Sequence, residues 1–365
     1  MSLNSIKEKI ISFLLNHADP SIVLRVKNEV LGHLPANEKE DLIGKIILQK
    51  NVQSILQAQK PDGWIGNHFH GQSKKFGANM YDNMEVGLRY LAEKGFPPDS
   101  GYISKAVNSF FVKKDYDYDV YRIKKPKVPD TDYSRTAFGL YLLRSSVIIR
   151  AGHEHVLPPN NIIDLVHDIN FSIKTFCNVL NYSNIDDVID THRKKPCFKQ
   201  NTQWPCICDL RILAHSHGWR CRENKVLLAS AVMRLFSFPQ FGEDIYTYYR
   251  GQYISPCGAF IHRPILGCSI KDEAVGGGWF DLMEQFARCG IVRHVPALRD
   301  EYNAMLSLAE ESMAINISFH KNRDAFGWEP YYGIALEQDW KTKIRKQCDI
   351  LFRILLILHY TESEA

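Results

Sequence analysis

Long apolar runs are missing from this chain of 365 residues. The longest near the C-terminus, Ile354 to Leu358, falls far short of the roughly 20 apolar residues that carry a helix across a bilayer. The first residues, Met1 to Asn16, mix Lys7, Glu8 and Lys9 with Ile10, Ile11, Phe13, Leu14 and Leu15. They lack the basic start, apolar centre and small-residue cleavage site of a signal peptide. No transmembrane segment is therefore expected, and peripheral contact with a membrane stays open. Gly/Ser runs, Pro-rich spacers and blocks of one charge are also lacking. Although the length allows two domains, the expectation is one domain over 1–365. Charge of one sign is scarce: 45 Lys and Arg face 41 Asp and Glu, a net of +4. The densest basic clusters, Lys124-Lys125-Pro126-Lys127 and Arg193-Lys194-Lys195, read first as solvated loops and second as attractants for a diphosphate or an anionic membrane. No nucleic-acid motif accompanies them, so no nucleic-acid partner is expected. The nine cysteines are an odd number in a chain without a secretion signal, which fits reduced thiols in the cytoplasm. Gly276-Gly277-Gly278 has neither a preceding strand nor a following Lys-Ser/Thr, so it is no phosphate loop. Sustained alternation around Asn-Gly or Asp-Gly is absent too, and no hairpins are predicted.

What is present is helix signal, again and again. Asp19-Pro20 reads as an N-cap with Pro at the first helical position, and Asn37 with Glu40 as a capping box. Apolar spacing predicts helices over 41–56, 83–94 (closed by Gly95), 102–113, 136–150 (closed by Gly152), 161–180, 208–217, 223–236, 279–289 (closed by Gly290), 297–313 and 343–360. With three more near residues 5, 20 and 40, about a dozen helices make the chain all-α. Long loops rich in aromatic, Gly, Pro and Cys residues recur after pairs of helices, at 61–78, 114–130, 182–205, 237–278 and 319–336. This alternation suggests two concentric helix layers.

Gln57 to Gly66 is the most telling stretch. A helix runs into Gln, Pro61 biases Lys60 away from the helical region, and Gly63 can take positive φ before the chain lands on Trp64. Gln59-Lys60-Pro61-Asp62-Gly63-Trp64-Ile65-Gly66 resembles the repeat unit of the terpenoid cyclases and protein prenyltransferases, each of which closes an outer corner of a ring of paired helices. Gly258-Ala259-Phe260, Gly278-Trp279 and Gly327-Trp328 are corner-like units of the same kind, although large aromatics also pack at helix ends without any repeat. The resemblance implies an α/α toroid of about six helix pairs, with an irregular helical solenoid as the alternative.

Pro129-Asp130-Thr131-Asp132-Tyr133-Ser134, ahead of an apolar helix, resembles the acid motif of class II cyclases such as squalene–hopene cyclase. By that resemblance Asp132 protonates a double bond or epoxide, with Asp130 and Tyr133 as its partners. Tyr133 stands where the family has a further Asp. The same acids also suit a plain helix N-cap. Trp64, Trp204, Phe260, Trp279, Trp328 and Tyr332 are candidates for the cavity wall or its corners, since aromatic faces stabilise carbocations. The same rings could stack on sugars or fill a core. No Asp-Asp-x-x-Asp signature occurs, which argues against magnesium-assisted diphosphate ionisation.

Cys206-Ile207-Cys208-Asp209 and His215-Ser216-His217 offer zinc-type side chains at non-zinc spacings, and buried structural cysteines are the simpler reading. His68 and His70, two apart in a Gly-flanked loop, could serve as acid and base or ligate a metal, but no third ligand is evident. No metal and no cofactor are expected. The expected function is that of a prenyltransferase- or terpenoid-cyclase-like protein acting on a small apolar substrate, an isoprenoid for example, by acid-initiated cyclisation. The alternatives are a carbohydrate-active toroid (glycosidase or lyase) and a non-catalytic binding module of the same fold.

Overall fold

Ile6, Ile10 and Leu14 recur every four residues and form one buried stripe of the first helix, α1 (Leu3–His17). That stripe packs on the last helix, α13 (Lys343–Ser363), whose residues Ile350 to Leu358 are all buried, Arg353 included. Each large apolar side chain in such a contact contributes about 1.5–3 kcal/mol relative to exposure. The computed structural model describes residues 3–70, 83–112, 140–155, 164–199, 202–238, 245–249, 252–254, 278–313 and 335–363.

Thirteen α-helices are found among the described residues, so the fold is all-α. Between α1 and α13 these are α2 (Pro20–Arg25), α3 (Ala36–Ile47), α4 (Lys50–Ala58), α5 (Met84–Glu93), α6 (Gly101–Val112), α7 (Leu140–Arg150), α8 (Leu165–Asn178), α9 (Ile207–His215), α10 (Arg222–Ser237), α11 (Gly278–Arg288) and α12 (Pro296–Met313). None is long and apolar enough to cross a membrane. The chain forms two compact units. The first joins Met1–Lys113, Cys268–Ala287 and Asp300–Ala365, and the second joins Lys114–Gly267 and Arg288–Arg299. In the first, α2 packs on α3 and α5 on α6; in the second, α9 packs on α7 and α8, and α8 on α10.

Several details depart from the sequence reading. The helix predicted over 41–56 is two helices, broken where Leu48 faces solvent and Gln49 turns extended (ψ 136°) to start α4. Asn37 and Glu40 lie inside α3, which starts two residues earlier than that capping box implies, behind Pro35. Asp19 precedes Pro20 as expected, yet its carboxylate accepts the distant Gln338 N–H (2.7 Å) rather than a helical one. Asn83 does cap α5 through Val86 N–H (3.0 Å), and Gly95 (φ +89°) closes that helix.

Two hairpins are present where none was predicted. β1 (Ile189–His192) pairs antiparallel with β2 (Lys195–Phe198), and β3 (Thr247–Tyr249) with β4 (Gln252–Ile254). Strands of three and four residues are too short to show alternation. The β1–β2 turn is made by Arg193 and Lys194, not by the Asn-Gly or Asp-Gly that would betray it. Phe198 N–H donates to Tyr246 O and Tyr246 N–H to Pro196 O (2.8 and 3.0 Å), joining the hairpins.

Candidate functional site

The corner after α4 is built as its sequence suggests. Gly66 N–H donates to Ala58 O (3.0 Å) and Lys60 N–H to Trp64 O (2.8 Å), closing the loop on itself. Asp62 Oδ1 accepts Trp64 N–H (3.0 Å). The Gln59 amide donates both to Gly63 O (3.1 Å) and to Tyr102 O (2.9 Å) at the start of α6. Gly63 sits at φ +92°, and a Cβ there would collide with the Lys105 carbonyl of α6. Only glycine allows that backbone approach. Trp64 is buried edge-on against Phe110 of α6, which Phe69 meets from another side (centroids 5.6 and 5.8 Å).

The end of this corner docks on the start of α5. Met84 N–H and Glu85 N–H, two donors that no turn of α5 could satisfy, donate to His68 O and Phe69 O (3.0 Å each). The docking brings His70 beside Glu85, and His70 Nδ1 hydrogen-bonds Glu85 Oε2. Glu85 is buried while His70 is half-buried. A carboxylate on Nδ1 fixes the ring's orientation. His68, two residues earlier, is exposed.

Glu85 begins a charged stripe. Glu85, Arg89 and Glu93 stand four residues apart on α5, and all three are buried. Across from Glu93 lies Arg353 of α13, which donates to Glu93 Oε2 (2.7 Å) and to Glu284 Oε2 of α11 (2.8 Å). Burial works against the Arg353 charge, but Glu93 and Glu284 outweigh it and hold its pKa above the ordinary value. Arg25 adds a contact to Glu93 (3.5 Å) and donates from Nε and Nη2 to the one oxygen Glu29 Oε2 (3.0 and 2.7 Å).

A second polar cluster lies one residue beyond the stripe. Lys94 is fully buried and donates to Gln49 Oε1 (2.7 Å), Ser21 Oγ (3.3 Å) and the Leu336 carbonyl. Burial lowers its pKa to about 8, against the pull of Asp349, Asp19 and Glu337. Asp349 accepts Leu336 N–H (2.6 Å) and Trp340 Nε1–H (2.6 Å), so it pins residues 336–340 to α13. Glu337 accepts Asp19 N–H (2.9 Å) on one oxygen, and its other oxygen is buried 3.9 Å from Arg345 Nε. Burial, then Asp19 and Asp349, push the Glu337 carboxyl up to about 9, so it holds its proton at neutral pH.

Of the predicted site residues, Asp130, Asp132, Tyr133, Phe260, Trp328 and Tyr332 lie outside the described residues. Trp64 belongs to the corner's core. Trp204 packs among Tyr182, Phe198 and Phe238 (centroids 6.1, 6.5 and 5.5 Å). Trp279 packs on Phe280, and its indole N–H donates to Glu301 (2.9 Å). Cys206 starts α9, its own N–H bound by Asp209 (2.9 Å), and Cys208 is buried. His215 ends α9, whereas His217 lies past its end, in a loop held by Glu154 through His217 and Gly218 N–H (2.9 and 2.8 Å). Among the described residues no His, Cys, Asp and Glu gather as a metal site. The stripe on α5 and its partner Arg353 escaped the sequence reading, although three charges spaced by four inside an apolar helix are a visible signal. Comparison of the chain with protein-family models, with curated proteins and with solved structures gives no match.

Proposed function

We propose that this chain is an α/α-toroid enzyme of the terpenoid-cyclase and prenyltransferase kind, with about six helix pairs, acting on an isoprenoid or other apolar substrate. In this reading His70, oriented by Glu85, exchanges a proton with the substrate, and Asp132 with Asp130 and Tyr133 supplies the stronger acid. The observation that carries it is the corner at 59–66. Its Gln side chain, its positive-φ Gly and its buried Trp tie the end of α4 to α6, and its exit brings His70 to a buried carboxylate. A half-buried imidazole held by a buried carboxylate is suited to general acid–base work near neutral pH. The test is incubation with farnesyl and geranylgeranyl compounds, comparing the native chain with His70→Asn and Asp132→Asn. The expected result is product from the native chain and a drop of roughly 10²-fold or more in each variant. Product formation indifferent to both substitutions removes both residues from the mechanism, and binding without turnover in all three proteins makes the chain a binding module.

A second reading, a carbohydrate-active toroid, is favoured by a different observation. The described candidate aromatics Trp64, Trp204 and Trp279 are spent in packing, whereas α5 carries Glu85, Arg89 and Glu93 along one buried face. Turnover of oligosaccharides or uronate polymers, with the isoprenoids left untouched, selects it.

A further inference from the structure

The β1–β2 hairpin of the second unit breaks a local rule at an exposed position. Arg193 (φ +47°) and Lys194 (φ +66°) are both left-handed, the geometry of a two-residue hairpin turn that Asn and Gly fill without strain. A residue with a long side chain is disfavoured there, and such strain persists where the side chains are wanted for something other than the turn. Here both side chains are exposed cations at the tip.

What stands behind the tip is equally specific. His192 and Lys195 are cross-strand partners, so they share a face of the hairpin. The His192 ring stacks on Tyr248 (centroids 3.7 Å, 26°), and its Nδ1 lies 2.9 Å from Tyr253 Oη. Lys195 is exposed, yet its ammonium is held over two rings, Tyr246 at 5.0 Å and Tyr253 at 4.6 Å. His192, Tyr246, Tyr248 and Tyr253 are each half-buried. Three cations in sequence beside four half-buried rings combine charge for phosphate with flat faces for a planar ring. The nearby carboxylate, Asp190, is turned onto the backbone, accepting Thr191 N–H (2.7 Å). No apolar side chain stands between Thr191 and Pro196, so the tip has nothing to insert into a bilayer.

We propose that this hairpin is a binding site for a nucleotide: Arg193, Lys194 and Lys195 hold the phosphates, and the His192–Tyr248–Tyr253 rings carry the base. The site is independent of the function proposed above, because it uses none of the same residues.

The geometry supplies an unusual test, in which one double substitution moves stability and binding in opposite directions. Arg193→Asn with Lys194→Gly suits the turn better and removes the cations. It is expected to raise the melting temperature by on the order of a few degrees. The same variant is expected to weaken ATP binding, measured by titration calorimetry on the full chain, by about tenfold or more. Tyr248→Leu is expected to weaken ATP while leaving inorganic diphosphate unchanged. The proposal is overturned by ATP binding that the double variant does not weaken, by diphosphate binding as tightly as ATP, or by binding only to vesicles rich in phosphatidylserine. Absence of any ATP binding by the native chain at millimolar concentration overturns it as well.

Discussion

Glu337 shows how burying one carboxyl ties stability to pH. Its carboxyl is enclosed with Asp19, Asp349, Lys94, Arg345 and Cys348, and its protonated form is the one the fold prefers. The folded-state pKa, about 9, lies above the ordinary value of 4.5. A raised pKa means that the folded chain binds the proton more tightly, so the stabilisation is complete below 4.5 and is lost as pH rises through 9. Lys94 behaves in the opposite sense. Its lowered pKa makes its contribution full above 10.5 and lost as pH falls through about 8, so it stays mainly charged and changes little between pH 5 and 7.5. In that window Glu337→Gln isolates the carboxyl, because an amide keeps the shape and cannot ionise. The melting temperature of the native chain minus that of the variant is expected to fall by on the order of a few degrees from pH 5 to pH 7.5. Thermal melts at four or five pH values measure it, and a difference that stays flat or grows would show that Glu337 is ionised in the fold.

At the scale of elements, the buried triad of Glu93 on α5, Glu284 on α11 and Arg353 on α13 locks three helices by charge rather than by shape alone. Removing one member of a buried ion pair leaves the others uncompensated and costs about 3–5 kcal/mol, more than the pair itself contributes over apolar residues. Arg353→Met should therefore destabilise the chain by about that amount, while Arg353→Met with Glu93→Leu and Glu284→Leu should recover most of it. Denaturant midpoints of the single and triple variants decide the matter; a triple variant weaker than the single one would mean that the charges themselves hold the helices. Helix C-termini were legible from sequence at Gly95, Gly152 and Gly290, because a positive-φ glycine acts through local backbone chemistry. The corner at Gly63 was legible for the same reason. Glu337 and Arg353 were not, since their partners Asp19 and Glu93 are 318 and 260 residues away in the chain. The hairpin at Arg193 stayed hidden because its turn residues contradict the rule by which hairpins are read.

At the scale of the molecule, the first compact unit is drawn from three separate stretches of chain, two of which come after residue 267. Its N-terminal stretch cannot satisfy its own interior. Glu93 needs Arg353, Lys94 needs the Leu336 carbonyl, Glu29 needs the Tyr360 hydroxyl, and the stripe of α1 needs α13. Contacts between stretches this distant carry a large loop-closure cost before they return any stabilisation, and a chain that needs them folds late and all at once. The α13 helix is thus the closing element of its unit. Deleting residues 342–365 should abolish far more ellipticity at 222 nm than 24 residues can account for, because Glu93, Glu284 and the α1 stripe lose their partners together. Adding the missing segment as a peptide should restore the signal with a stoichiometry of one. Loss of ellipticity confined to the deleted helix, with a cooperative melt retained by the remainder, would show instead that the unit closes without it. The order of events would then have to start from the N-terminal helices, whose apolar faces lie partly against one another in the packing of α2 on α3 and α5 on α6.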